Sequence, residues 1–392
     1  MTDGAGVLER TGHPSAPLRI LALGGDGIGP EVVGAALQVL HALVPAFLPP
    51  PLVTTAPLGM AALRELGQVA PPPVLRQAAE ADAVLVGAVD TLGLRELGGV
   101  GQGSAILALR RALGCFAALR PVRCWPDPFQ WSPLRPERRS GVDLLFVREL
   151  SAGAYGPGPH RQSGSRPRRR AVDALRYEEG QVGRVTRLAF ELARGRRRQV
   201  TSVDLAEHLQ TSRLWRQVVE EVAAGYPDVE LERRPAGQFA QELVSCPSRF
   251  DVVLTANLLG DILSDQGAAI SGSLGILASS ARGPDRLPRL YEPVHGAAPD
   301  LAGTGRANPL GAILTLALLL ADQGAAAAAG SVEAAIRATL ASGTVTPDMG
   351  GTASTGEVVC AVISHLARTP GPGWDAGARR DRALAAGGRV GA

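Results

Sequence analysis

The stretch that most constrains this chain is residues 251–265, DVVLTANLLGDILSD. It opens with the apolar run Val252–Leu254, uninterrupted by polar residues as in a strand of a buried parallel sheet, then turns at Asn257 into a helical period. That helix carries Asp261 and Asp265 at i,i+4, which puts both carboxylates on one face. Like charges at this spacing repel, so the pair calls for a cation between or beside it. Hard oxygen donors of this kind suit Mg²⁺ or Mn²⁺ better than zinc or copper. A solvated acidic face is the competing reading of two aspartates alone.

At 392 residues the chain holds material for about two to three domains and can bury a large core. Apolar residues make up 45% and charged residues 20%, which excludes a disordered or fibrous chain. The formal charge of +3 is small for this length and is a weak argument for any polyanionic partner such as nucleic acid. Cys115, Cys124, Cys246 and Cys360 show neither CxxC pairing nor histidines at metal spacing, the pattern of incidental thiols in a reducing cytoplasm. Residues 1–17 lack the apolar stretch of a signal peptide and read as a polar tail. The run Gly311–Ala321 is too short to span a bilayer and reads as a buried helix. All 40 basic residues are arginine, so no lysine is present for any chemical role.

Leu18–Leu23 reads as a strand, followed by a glycine turn to Pro30 and a helix over Glu31–Leu43. Free N–H groups at such a helix start can contact an anion or cofactor. The glycine spacing is not the dinucleotide fingerprint GxGxxG, and a tight βα turn accounts for it equally well. Ala83–Val86 is a second buried strand. Ala105–Leu113 then reads as a helix bearing Arg110, Phe116–Val122 as a strand bearing Arg120, and Leu144–Glu149 as a strand ending in Arg148. This alternation indicates an α/β fold. Arginines at element ends can form a carboxylate clamp, since the guanidinium fork matches a carboxylate; in so arginine-rich a chain they can equally be surface residues.

Residues 156–170, GPGPHRQSGSRPRRR, read as a mobile loop or arm. With Arg194 and Arg196–Arg198 they make a basic patch, which lacks the interleaved aromatics of a nucleic-acid surface. Val185–Ala193 and Ser212–Ala223 are helical by period, with the strand Gln199–Val203 between them. Tyr291–Pro309 is punctuated by Gly and Pro too often for a regular element and reads as a long functional loop. The chain is then helical to His365, except for a turn at Pro347–Gly351, and reads as disordered after Pro370.

Six segments, in order, resemble the metal-dependent β-decarboxylating dehydrogenases, the isocitrate/isopropylmalate family, and its isopropylmalate branch most closely. They are GGDGIGPEV at 24–32, ALRRALGCFAALRPV at 108–122, VRELSAGAYG at 147–156, FDVVLTANLLGDILSDQ at 250–266, GSLGIL at 272–277 and EPVHGAAPDLAGTGRANP at 292–309. The resemblance implies a two-domain α/β fold that is not a Rossmann fold. A discontinuous cofactor-binding domain would take residues 1–115 and 272–392, and a substrate and dimerisation domain residues 116–271. It further implies oxidative decarboxylation of 3-isopropylmalate or a related 2-hydroxy diacid, dependent on NAD and Mg²⁺ or Mn²⁺, in a cytoplasmic dimer of leucine biosynthesis whose sites borrow residues across the interface. By position, Arg110, Arg120 and Arg148 would grip the substrate carboxylates, with Ile106 and Leu107 against its alkyl tail. Asp261 and Asp265 would ligate the metal, and Tyr155 would protonate the enol. His295, Gly296, Ala298, Asp300 and Asn308 would lie in the adenosine loop, where an acid at Asp300 disfavours the 2′-phosphate of NADP.

The chain departs from the family pattern at central positions. Leu205 stands where the family has a catalytic lysine, Gly237 where it has a metal-ligand aspartate, and Gly103 where isopropylmalate enzymes keep a glutamate near the nicotinamide. Genomic drift from lysine to arginine would have left arginine at 205, not leucine. Glu207 and His208 lie within a helical turn of Leu205 as candidate substitutes for the base. Leu205 and Gly237 both replace groups the family donates across the dimer interface, so a second expectation is a catalytically impaired chain that pairs with an intact paralogue as a regulatory or complementing subunit.

Overall fold

Apolar runs such as Val252–Leu254 and Ala83–Val86 need cover on both faces, and the chain provides it with a mixed sheet held between helical layers. The computed structural model describes residues 17–44, 48–90, 105–125, 131–156 and 158–368. The position Gly103, the chain up to residue 16 and the tail after Pro370 lie outside the described residues. Strand β1 (Arg19–Gly25) leads to helix α1 (Gly29–Ala42), then β2 (Leu52–Thr55), α2 (Met60–Leu66), α3 (Pro72–Glu80) and β3 (Ala83–Ala88). Next come α4 (Ala105–Ala112), β4 (Ala117–Arg123), α5 (Pro136–Arg139) and β5 (Asp143–Glu149). A small hairpin of β6 (His160–Ser163) and β7 (Arg170–Asp173) precedes α6 (Glu179–Arg194), β8 (Gln199–Asp204), α7 (Gln210–Ala223), β9 (Glu230–Pro235) and α8 (Ala236–Ser245). The chain continues through β10 (Val252–Thr255), α9 (Asn257–Ser271), β11 (Ala278–Arg282), β12 (Arg289–Pro293), α10 (Leu310–Asp322), α11 (Ala326–Ala341) and α12 (Thr355–Arg368).

Among the described residues ten strands form one sheet, in the order β2-β1-β3-β12-β11-β4-β5-β10-β8-β9. Pairing is parallel toward both ends and antiparallel where β12, β11, β4 and β5 meet in the middle. The predicted buried strand at Val252–Leu254 lies between β5 and β8, parallel to both. The two ends of the described chain share one half of the sheet: α1, α10, α11 and α12 bury Val32, Val39, Ile313, Leu316, Ile336 and Val358 in a common core against it. In the other half α6 and α7 cover one face and α8 and α9 the opposite one. Helix α10 buries ten of its thirteen residues, as its unbroken apolar run requires, and no described helix is long and apolar enough to cross a membrane.

Two local expectations are corrected. The segment 156–170 is not simply a loop, because β6 and β7 pair within the arm. Tyr291–Pro293 is regular, closing β12 against β3 and β11, so the irregular loop begins only at Val294. Strand β9, ELERRP, went unpredicted because a charged edge strand carries no apolar run. No disulfide joins any of the four cysteines, and burial pushes the Cys115 thiol up to about 12.

The glycine turn after β1 proves to be a packing device. Asp26 is buried and accepts the N–H groups of Met60 at 2.7 Å and Asp90 at 2.8 Å, while the Ile28 N–H donates to the Ala297 carbonyl at 2.8 Å. Burial raises the Asp26 carboxyl above its ordinary range despite those donors. Backbones here touch directly: a Cβ on Gly87 would lie 2.4 Å from the Gly24 carbonyl oxygen and 2.5 Å from that of Gly29. Neither neighbour can yield without moving the β1–α1 turn, so Gly87→Ala should lower the unfolding free energy by about 1–3 kcal/mol, measured by urea denaturation.

Candidate active site

Strand register assembles the site. In the antiparallel pair β4–β5 Arg120 stands opposite Phe146, so Arg148, two residues on, shares its face. Val122, Leu144 and Phe146 of that face are sealed in the core against α8 and α9. Arg120 and Arg148 reach along α9 instead, where Asp261, Ser264 and Asp265 lie at i, i+3 and i+4. Arg120 donates through Nη1 to Ser264 Oγ at 2.6 Å and Asp265 Oδ1 at 3.2 Å, and its Nη2 lies 3.5 Å from Asp261 Oδ1. Arg148 pairs with Asp261 through Nη1, and its Nε and Nη2 both donate to Asn257 Oδ1, at 3.0 and 2.8 Å. Two buried guanidinium groups therefore stand beside the two aspartates and offset their mutual repulsion.

Burial, reinforced by the neighbouring Arg120 charge, pushes Arg148 down to about 10, still cationic at neutral pH. Burial also lowers Arg120, against the pull of Asp261 and Asp265. Asp265 is raised, chiefly by burial, with Arg120 opposing the shift.

The loop leaving β5 is held just as firmly. Glu149, fully buried, accepts the N–H groups of Ser151 at 2.8 Å and Ala152 at 2.9 Å, and burial raises its carboxyl. Asn257 completes the frame: its Nδ2 donates to the Ala152 carbonyl at 2.8 Å and its backbone N–H donates to the Tyr177 hydroxyl at 2.9 Å. Gly153 takes φ +77°, where a Cβ would come 2.2 Å from that hydroxyl, so glycine alone fits. The turn ends at Tyr155, whose ring centre lies 5.7 Å from the Arg148 guanidinium carbon. Partial burial first, then the neighbouring Asp261 charge, raises the Tyr155 phenol, which stays protonated through neutral pH.

Next to this cluster lies a cavity of about 130 Å³ lined by Ile106, Arg110, Arg120, Glu292, His295 and Gly296. Arg110 is ion-paired to Glu292, and Arg120 belongs to both the cavity and the aspartate cluster. His295 Nε2 is buried without a partner, and burial lowers the ring so that it stays neutral. An orphaned ring nitrogen beside the open Gly296 suits a polar ligand group such as part of a nucleotide. Asp261 and Asp265 have side chains 31% and 54% exposed, which leaves oxygen donors open to a hard cation. Among the described residues no third His, Cys, Asp or Glu completes a ligand group. Mg²⁺ tolerates such a site, being held elsewhere by one or two carboxylates together with substrate oxygens and water.

The remaining candidates fall away from the cavity wall. Leu107 is half-buried, and its carbonyl accepts Arg111 Nε at 3.1 Å. Ala298 adopts φ +38°, and Asp300 is exposed on the loop. Asn308 is buried and committed, donating to Asp348 at 2.9 Å and accepting the Leu310 N–H at 3.0 Å. It anchors the loop where α10 begins. Leu205 is half-buried in the core beneath α8, next to Ala236, because Asp204 pairs with Pro235. Gly237 is exposed, with nothing within 4 Å of where a Cβ would stand. Glu207 and His208 are exposed, and neither is bonded to the arginine–aspartate cluster. Sequence reasoning missed Asn257, Ser264 and Glu292 as partners of the arginines. Ser264 was detectable, lying one turn beyond Asp261 on the same face; the other two needed the sheet order.

Residues 19–362 match the family model described as isocitrate/isopropylmalate dehydrogenase. The chain belongs to the isocitrate/isopropylmalate dehydrogenase family. It is 41% identical to a 3-isopropylmalate dehydrogenase of Anaeromyxobacter dehalogenans, covering 89% of this chain and 99% of the relative. It is 44% identical to one of Geobacillus kaustophilus, covering 87% and 93%. Among solved structures, the isocitrate dehydrogenase of Methylococcus capsulatus superposes with TM-score 0.80 at 32% identity, over 89% of this chain and 99% of that one. A β-decarboxylating dehydrogenase of Thermococcus kodakarensis in its apo form gives TM-score 0.73 at 34% identity, over 90% and 96%.

In this family member Asn257 joins the Arg148 fork to the turn carrying Tyr155, and both Asn257 and Arg148 are almost wholly buried. Asn257→Ala would strand two guanidinium N–H groups and the Ala152 carbonyl. Equilibrium unfolding should report a loss of about 1–3 kcal/mol.

Proposed function

We propose that the protein is an NAD-dependent, Mg²⁺- or Mn²⁺-dependent dehydrogenase that oxidatively decarboxylates 3-isopropylmalate or a related 2-hydroxy diacid in the cytoplasm. The reading is carried by one arrangement, the Arg120 and Arg148 guanidinium groups set between two aspartates and the Tyr155 phenol, opening into the cavity of His295. In this proposal residues 1–115 with 272–392 bind the cofactor, and residues 116–271 bind substrate and form the dimer surface.

Arg120 and Arg148, both cationic and desolvated, bind and orient carboxylates through their forks. Arg110 serves the same end when an anionic ligand competes with Glu292. Ile106 gives an alkyl substituent an apolar wall in the cavity. Asp261 and Asp265 hold the divalent ion, and His295 with Gly296 receives the nucleotide. When bound, the metal withdraws electron density from the substrate hydroxyl and carboxylate oxygens, and NAD⁺ accepts the hydride. Tyr155 holds a proton on its hydroxyl at neutral pH, ready for the carbon that loses CO₂.

The chain has no base at 205. Leucine neither accepts nor releases a proton there, and loss of a general base typically slows a reaction about 10²–10⁴-fold. This supports a second reading, a complementing or regulatory subunit of an intact paralogue, over a homodimer with two slowed sites. One observation favours it: Leu205 and Gly237 adjoin at the C-terminal ends of β8 and β9, while every charged group of the arginine–aspartate cluster is kept. One patch has lost its chemistry and the pocket has not.

The test is NADH formation from 3-isopropylmalate, NAD⁺ and Mg²⁺ by the natural chain and by the Leu205→Lys, Gly237→Asp double variant. The open space at Gly237 accepts a carboxylate, and a half-buried lysine can extend its amine to solvent. The double variant should turn over about 10²–10⁴-fold faster than the natural chain. Appreciable turnover by the natural chain alone removes the complementing-subunit reading. Inactivity of both removes the substrate assignment.

A further inference from the structure

The sheet is covered by different helices on its two halves, and the seam between them falls at β11 and β4. Those strands pair through Ser280–Arg282 and Ala117–Leu119; beyond Leu119, among the described residues, β4 pairs with β5 alone. Both faces are open along this seam. Arg120 and Ser279 line the cavity of the candidate site, while their neighbours Pro121 and Ala278 line a second cavity of about 50 Å³. Side chains alternate along a strand, so the two cavities lie on opposite faces of the sheet, one behind the other.

Arg123 and Trp125 reach across the rear opening to one face of α11. Arg123, at the end of β4, donates through Nη1 to Glu333 Oε2 at 3.0 Å, and its Nε lies 3.3 Å from Asp143 Oδ2 on β5. One turn further along α11, the Arg337 guanidinium carbon lies 5.5 Å from the centre of the Trp125 ring. These side chains tie a helix that covers one half of the sheet to strands of the other half. A close-packed core resists deformation, so a sheet joined by a short register and left unfilled on both faces bends at that line more easily than within either half.

We propose that Arg123 with Glu333, backed by Trp125 with Arg337, is a strut that holds the rear opening narrow and so keeps the front cavity open. Flexing the seam to close the front cavity around a ligand widens the rear, and that movement draws Arg123 away from Glu333. The strut therefore works against ligand binding: a ligand that needs the closed form must overcome it. The Arg123 and Glu333 side chains are 39% and 33% exposed, so the pair is sensitive to salt and shifts the balance only a few-fold. The inference rests on the reading of the front cavity as the ligand site, and not on which reaction follows there.

Glu333→Gln removes the ion pair at a partly exposed position without adding a repelling charge. NADH binding, followed by fluorescence with Mg²⁺ and 3-isopropylmalate present, should tighten about two- to fivefold in this variant at low salt. The gain should vanish at high salt, where the natural ion pair is already screened. A role confined to stability would leave affinity unchanged or weaken it. Arg337→Gln, at an exposed position, should tighten binding in the same direction. Small-angle X-ray scattering of the ligand-free chains reads the strut without any ligand: Glu333→Gln should show a smaller radius of gyration than the natural chain at low salt and the same radius at high salt. Unchanged or weaker NADH affinity in both variants would overturn the proposal, as would equal radii at low salt. If no chain binds NADH, the nucleotide assignment falls and the scattering comparison alone decides the strut. If circular dichroism shows Glu333→Gln to be unfolded, Arg337→Gln carries both measurements.

Discussion

Two guanidinium groups inside a sheet-helix interface set the terms for this molecule. Taking a charge out of water costs several kcal/mol, and that cost is offset only when the partner is charged and the remaining donors are satisfied. Arg148 meets the condition with Asp261 on one side and Asn257 on the other, and Arg120 with Ser264, Asp265 and Asp261. All of those partners stand on α9, so the helix cannot rotate or slide without leaving a buried charge uncompensated. The same helix fixes the Tyr155 turn through Asn257. The candidate site and a fold constraint are thus one set of contacts.

That coupling bears on the departures at Leu205 and Gly237. A chain released from every catalytic demand would still need Asp261 and Asp265 to neutralise Arg120 and Arg148, so the aspartates alone do not argue for a bound metal. The groups that stability does not require speak more clearly. Tyr155 is substantially exposed and held by a turn that demands a left-handed glycine, and His295 keeps a buried ring nitrogen unpartnered. A buried ring nitrogen left without a partner is a cost that a polar ligand group would relieve. Leu205, by contrast, is absorbed into the core beneath α8, where its chemistry is packing alone.

The strand-helix unit at 251–265 was legible because its signals are local: an apolar run, a turn residue and a repeat of 3.6. Arg110, Arg120 and Arg148 were legible as a carboxylate clamp, but the side chains that hold them were not, since those contacts depend on β11 and β4 running antiparallel between two parallel halves. Asn308 shows what a motif leaves out. The motif marks it as part of a nucleotide loop, and the structure adds that its side-chain amide ties the loop to Asp348 and the start of α10. Edge elements were the least readable, because β9 and the β6–β7 hairpin lack the buried face that writes a pattern into sequence.

By itself the sequence determined the α/β class, the buried apolar helix over 311–321, the absence of lysine and the spacing that sets Asp261 and Asp265 on one face. Each follows from composition or from a period within one element. Only the tertiary structure decided which guanidinium groups those aspartates meet, that Arg110 is engaged by Glu292, and that Leu205 is packed while Gly237 has room. These depend on strand order and register, which join residues more than a hundred positions apart, and no local pattern encodes a contact of that range.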